Sequence, residues 1–188
     1  MSSGGSEVSN TKTILLIVDL QRGFIKTCTK SVINVVKRAI NDLQYDVCIY
    51  SRFYNTEETS FSRFLNWERF QSTEEQEIVL PVDKKDIIVS KDTYSAVTKE
   101  LKSIIEEGEY KRAYVCGIDT DSCVLATAFE LFDNGIEPLI IIDGCASTGG
   151  NEYHQAAELI MKRSFGKNNV NCLSYYIGGK NENSTSYN

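Results

Sequence analysis

The chain has 188 residues, a formal net charge of -6 and basic residues scattered among acids, which excludes a broad phosphate-binding face and, with it, nucleic acid as an expected partner. A hydrophobic share of 41% beside 24% charged residues excludes disorder and fibrous architecture. At this length one domain is expected, burying about two-thirds of the surface its unfolded chain would expose. No apolar run approaches the roughly 20 residues of a bilayer span, so no membrane partner is expected.

In chain order, residues 1–11 are rich in Ser and Gly, lack the apolar run of a signal peptide and read as a disordered tail. Residues 178–188 read as a flexible tail, leaving one domain over residues 12–177. Inside it, short β-branched runs at 13–18, 47–50, 86–89, 112–116, 138–142 and 170–175 read as strands, several of them apolar on both faces as buried parallel strands are. Helical periodicity fills the gaps at 31–42, 96–107, 122–134 and 152–163, with Gly108 and Gly135 placed to supply left-handed helix ends. Right-handed βαβ crossovers then give an α/β, three-layer, doubly wound fold around a six-stranded parallel sheet.

Ligands of such sheets bind beyond the carboxyl ends of the strands. Three reactive side chains stand there: Asp19 after the first strand in ILLIVDLQRGF, Lys91 after the third in DIIVSKDTYSA, and Cys123 after the fourth in YVCGIDTDSCV. Taken singly, Asp19 reads equally as a turn cap and Lys91 as a solvated side chain, and the combination is what points to chemistry. Cys123 enters the helix at 122–134, where unpaired N–H groups and the helix dipole favour an anion. Such a position beside a lysine lowers a cysteine pKa from about 8.5 to roughly 3.5–7.5, so a thiolate is expected.

The other cysteines divide by position. Cys48, Cys116 and Cys172 fall inside predicted strands and read as small core residues, whereas Cys28 and Cys145 fall in loops and stay open. With no CxxC pair and no ligand-like spacing, reduced thiols in a cytoplasmic protein are expected.

Asp19 in IVDLQRGF, Lys91 in VSKDTYSA and residues 117–124 as GIDTDSCV resemble the isochorismatase-like cysteine hydrolases, a superfamily that includes nicotinamidases and N-carbamoylsarcosine amidases. DGCAS at 143–147, followed by Glu152 and His154, resembles the family's next block, so the likeness spans nearly the whole folded unit. The resemblance implies Asp19 as general base, Lys91 as its electrostatic partner and Cys123 as nucleophile. It also implies a cis peptide at Ile118–Asp119 and an oxyanion hole made by the amides of Asp119 and Cys123. The implied activity is hydrolysis of a C–N bond in a small amide, carbamoyl or ureido compound through a Cys123 thioester. Cleavage of a vinyl ether and a catalytically silent, ligand-binding member are the alternatives. Phe24, Phe53 and Tyr94 are the candidate pocket residues.

Nicotinamidases hold a divalent metal through an Asp and several His residues in the loop after the second strand. Here that loop reads SRFYNTEETSF, with Phe53, Asn55 and Ser60 near the ligand positions, and the only histidine of the chain is His154. No metal and no organic cofactor are therefore expected, and His154 reads as structural. The aromatics between Phe53 and Phe70 read as a pocket wall, a subunit contact or plain packing, and Arg52 and Arg63 as solvated. The resemblance further implies a small-molecule substrate and a homo-oligomer, a dimer or tetramer.

Overall fold

A computed structural model describes residues 11–178, so both predicted tails, apart from their innermost residues, lie outside the described residues. The chain begins with β1 (Thr13–Val18), buried at every position, and passes through α1 (Val32–Asp42) to β2 (Val47–Phe53). Two short helices, α2 (Ser60–Leu65) and α3 (Thr73–Gln76), interrupt the route to β3 (Ile87–Lys91). Next come α4 (Lys99–Gly108), β4 (Arg112–Ile118) and α5 (Leu125–Asp133), the last entered through a π-helical turn at Thr120–Val124. The chain finishes with β5 (Glu137–Ala146), α6 (Asn151–Phe165), β6 (Val170–Asn171) and α7 (Leu173–Ile177).

All six strands run parallel in the order β3-β2-β1-β4-β5-β6. β1 is central because its six residues are all apolar or buried Thr, as a strand covered on both faces must be. The chain winds outward from β1 to β3, then crosses back to lay β4 on the other side of β1. That reversal leaves a crevice at the carboxyl ends of β1 and β4. Helices flank the sheet: α1 packs on β4 and β5 with α7 beside it, and α5 and α6 pack together on β5. In α1 the buried residues Val32, Val36 and Ala39 recur at helical spacing, which is why this stretch coils and not pleats.

Several expectations need correction. The run at 170–175 is a strand for two residues only; the amide of Leu173 then donates to Asp143 Oδ1 at 2.8 Å and the chain coils into α7. Cys172, read as a core residue, is consequently exposed, while Cys145 is buried. The left-handed end of α4 is Glu109, with φ 55°, and not Gly108, whereas Gly135, with φ 76°, does take that conformation. α4 begins three residues later than periodicity suggests because Thr98 caps it, accepting from the amide of Leu101 at 3.3 Å. Residues 122–124 belong to the π-helical turn ahead of α5.

Burial leaves the strand thiols poor acids. Burial pushes Cys48 and Cys145 each up to about 12 and holds Cys116 well above its ordinary value. Unfolded cysteines ionise near about 8.5, so above that pH the unfolded chain sheds protons that the native state keeps. The stabilisation is complete below about pH 8.5 and is lost as pH rises toward the folded values, at about 1.4 kcal/mol per thiol per pH unit. Urea unfolding at pH 7.5 and 9.5 is expected to show a loss of about 4 kcal/mol from these three thiols, and Cys116→Ala to remove about a third of that share.

Candidate active site

Asp19 follows the last residue of β1 in a left-handed conformation, φ 49°, which turns the chain off the sheet at the crevice. Its carboxylate is fully buried. Ser51, on β2, donates its hydroxyl to Asp19 Oδ1 at 2.6 Å and accepts the Asp19 amide at 3.1 Å. The neighbouring loop is splinted by Gln21, whose side-chain oxygen accepts from the amide of Phe53 at 2.8 Å and whose amide nitrogen donates to the carbonyl oxygens of Phe53 and Gln76. These bonds fix the end of β1 to the end of β2, so the Asp19 carboxylate sits on a rigid edge.

Lys91 is the last residue of β3, two strands away from β1. Its long side chain runs back past the Phe53 ring, 5.1 Å from ammonium to ring centroid, and reaches Asp19 Oδ2 at 2.7 Å. The same ammonium donates to the carbonyl oxygens of Thr93 and Tyr94, at 2.8 and 3.0 Å, and lies 3.5 Å from Cys123 Sγ. Burial by itself disfavours this charge, but Asp19 and Cys123 outweigh it and leave the ammonium above the ordinary lysine range. The cation is thereby held inside the site.

Cys123 lies in the π-helical turn after β4, where the amide of Val124 donates to the Asp119 carbonyl at 3.0 Å and Thr127 Oγ1 donates to the Cys123 carbonyl at 2.6 Å. The Ile118–Asp119 bond is cis. Gly117 has φ 130°, and a Cβ there would stand 2.0 Å from the Val18 carbonyl oxygen, so only glycine lets β4 close on β1 at this point.

The thiol departs from the expected thiolate. Burial pushes it up, the charge of the nearby Asp19 carboxylate pushes it further, and Lys91 only partly opposes them. The resting group is therefore a protonated thiol. Position at a helix entrance favours the anion, but near-complete desolvation beside a second anion costs more.

Above Cys123 opens a cavity of about 300 Å³. Phe24, Phe53 and Tyr94 all line it, together with Phe61, Trp67, Asp119 and Thr148. Of the aromatic segment, Phe53, Phe61 and Trp67 form this wall, with Phe53 and Phe61 edge to face at 4.9 Å, whereas Phe64 is 71% exposed. Arg52 and Arg63 are exposed and away from the cavity; Lys26 and Arg69 stand at its lining instead. Ile118 is buried behind the site, and His154 lies on α6 with Nδ1 2.8 Å from Thr120 Oγ1.

Sequence reasoning passed over Ser51, Gln21 and Thr148. Ser51 carried a readable signal, a lone small hydroxyl in the otherwise apolar run VCIYS of a buried strand. Thr148 follows DGCAS, a block recognised without any role given to it. For Arg69 no signal in the sequence distinguishes it from Arg63.

The loop after β2 does not suit a metal. Asn55 spends its amide nitrogen on the Trp67 carbonyl at 2.6 Å, and its oxygen accepts from Thr59 and Ser62. Phe53 has no donor atom and Ser60 is exposed at the start of α2. Among the described residues no three His, Cys, Asp or Glu side chains are grouped to hold an ion. Also among them, no helix is long and apolar enough to cross a membrane.

A family model for the isochorismatase domain matches residues 13–168. Isochorismatase family protein 2A of Dictyostelium discoideum is 27% identical over 162 residues, covering 84% of this chain and 77% of that protein. Among solved structures, an isochorismatase-like hydrolase from Alkaliphilus metalliredigens has a TM-score of 0.79 at 18% identity, over 89% of this chain and 98% of that one. The N-carbamoylsarcosine amidase from Thermoplasma acidophilum has a TM-score of 0.75 at 16% identity, over 90% of this chain and 100% of that one. At those identities the structural likeness is one of fold.

Proposed function

We propose that this chain, which belongs to the isochorismatase domain family, is a cysteine hydrolase that cleaves a C–N bond in a small amide, carbamoyl or ureido compound. The observation that carries this reading is the Asp19–Lys91–Cys123 cluster at the floor of the cavity, in which the one ammonium touches both the Asp19 carboxylate and the Cys123 sulfur. Asp19 takes the thiol proton as Sγ attacks the carbonyl carbon, and Lys91 holds the thiolate charge as it forms. The N–H groups of Asp119 and Cys123 receive the oxyanion, each donor of this kind contributing about 3–4 kcal/mol. Collapse of the tetrahedral intermediate breaks the C–N bond, and Asp19 returns its proton to the leaving amine. Water, giving its proton to Asp19, then hydrolyses the thioester and frees the thiol.

A cavity of about 300 Å³ is at the small end of ligand sites, which suits a compact substrate packed flat against the aromatic wall. Lys26 at its lining favours a substrate with an acidic group remote from the scissile bond, whereas the Arg69 guanidinium there is already paired with Glu75. The test is a screen of small amides, carbamoyl and ureido compounds, each with and without a carboxylate, read by intact mass. An acyl adduct confined to Cys123, with ammonia or amine released, is the expected result. Iodoacetamide should first modify the exposed Cys28 and Cys172. No adduct with any compound, or an adduct only on Cys28 or Cys172, would reject the reading.

A further inference from the structure

The turn that carries Cys123 is held from outside by residues that perform no step of the reaction. Asp119 lines the cavity, yet both its carboxylate oxygens turn to Thr148: Oδ1 accepts from the Thr148 amide at 2.6 Å and Oδ2 from its hydroxyl at 2.7 Å. One residue further, the fully buried Thr120 hydroxyl and His154 Nδ1 share a hydrogen bond of 2.8 Å. Thr148 comes from the connection between β5 and α6, and His154 from the first turn of α6. The segment 147–154 therefore grips the Asp119–Cys123 turn at two consecutive residues.

We infer that Thr148 and His154 are positioning residues, a two-point clamp that fixes the direction of the Asp119 and Cys123 amides. The inference rests on the oxyanion role proposed above for those amides. Donors aimed at an oxyanion work because they need not reorganise during the reaction, and a displacement of about 1 Å costs up to about a hundredfold in rate. A π-helical turn has no regular i→i+4 ladder to stiffen it, so its direction must come from side chains. Asp119 cannot orient itself, since burial works against its charge and the bonds from Thr148 are what oppose that. Packing alone does not require the second bond: an apolar residue of threonine's size would fill the space at position 120, and the hydroxyl commits the turn to His154.

The test compares Thr148→Val, which removes the hydroxyl bond to Asp119 and leaves the one from the backbone amide, and His154→Leu, which removes the bond to Thr120, with Thr148→Ser and His154→Asn, which keep a polar partner in place. Two readouts are taken, steady-state kinetics on whichever amide the screen yields, and amide hydrogen exchange of the peptide spanning residues 117–125. The expected result is a fall in kcat of about ten- to a hundredfold with KM within about twofold, recovery in the conservative variants, and about tenfold faster exchange in that peptide while the urea midpoint barely moves. Exchange and kcat at wild-type values in Thr148→Val and His154→Leu would overturn the clamp. So would a lower urea midpoint with unchanged local exchange, which marks a merely structural role. Should the wild type acylate with no amide, the hydrolase reading falls, and the exchange readout decides the clamp on its own.

Discussion

Cys123→Ala is expected to remove both the acyl adduct and turnover, lowering kcat by on the order of 10⁴–10⁶ while the protein remains folded. The folding cost is small, about 1 kcal/mol, because only one sulfur leaves a site that already adjoins an open cavity. Substrate binding should survive, since the aromatic wall is untouched, and equilibrium dialysis of the unreacted amide measures it. Turnover undiminished in Cys123→Ala would remove the nucleophile and with it the proposed chemistry. The wild-type thiol being protonated at rest makes a second, sharper statement: the rate should follow the proton-accepting power of Asp19, and not the small fraction of free thiolate at pH 7.

Lys91→Met should lower stability by about 3–5 kcal/mol, the cost of leaving a buried carboxylate without its cation. Both charges are at or below 1% exposure, so water cannot compensate. Removing the pair together, in Asp19→Asn with Lys91→Met, should be less damaging than the sum of the single changes, because no unmatched charge remains. Urea unfolding of the three variants gives this cycle directly. Additive costs would show that the ion pair is energetically idle and that Lys91 earns its burial through Thr93 and Tyr94 alone. All three variants should be inactive, since each disrupts either the base or the charge that makes proton transfer from sulfur possible.

The strand ends that bear Asp19, Lys91 and Cys123 were legible because the βα alternation of the chain is regular and reactive residues stand where apolar runs stop. The sequence also indicated Phe24, Phe53 and Tyr94 as cavity residues, which the geometry places around Cys123. Less legible was how far apart the contributing strands lie. Lys91 belongs to the edge strand and crosses β2 to reach Asp19, a feat of side-chain length that no spacing rule reveals. The ionisation of Cys123 was misjudged for a related reason: local sequence reports the helix entrance, whereas desolvation and the nearness of Asp19 are properties of the packed site. The run after Val170 misled through its β-branched start, and its true course depends on Asp143, some thirty residues earlier. Wherever a partner comes from another strand or from a distant loop, as with Ser51 and Thr148, periodicity has nothing to say.

Gly117 gives this arrangement a further property. Its backbone meets the Val18 carbonyl oxygen, in register with Val18 across the β1–β4 pair, and Asp19 follows one side of that contact as Asp119 follows the other shortly after. The Asp19 carboxylate and the Asp119–Cys123 turn are thus gauged from a single point of closest approach, so an error in strand spacing would displace the two halves of the proposed reaction relative to each other by the full amount. A methyl group at position 117, remote from the cavity lining, would then act as a wedge whose effect is felt in alignment before it is felt in binding.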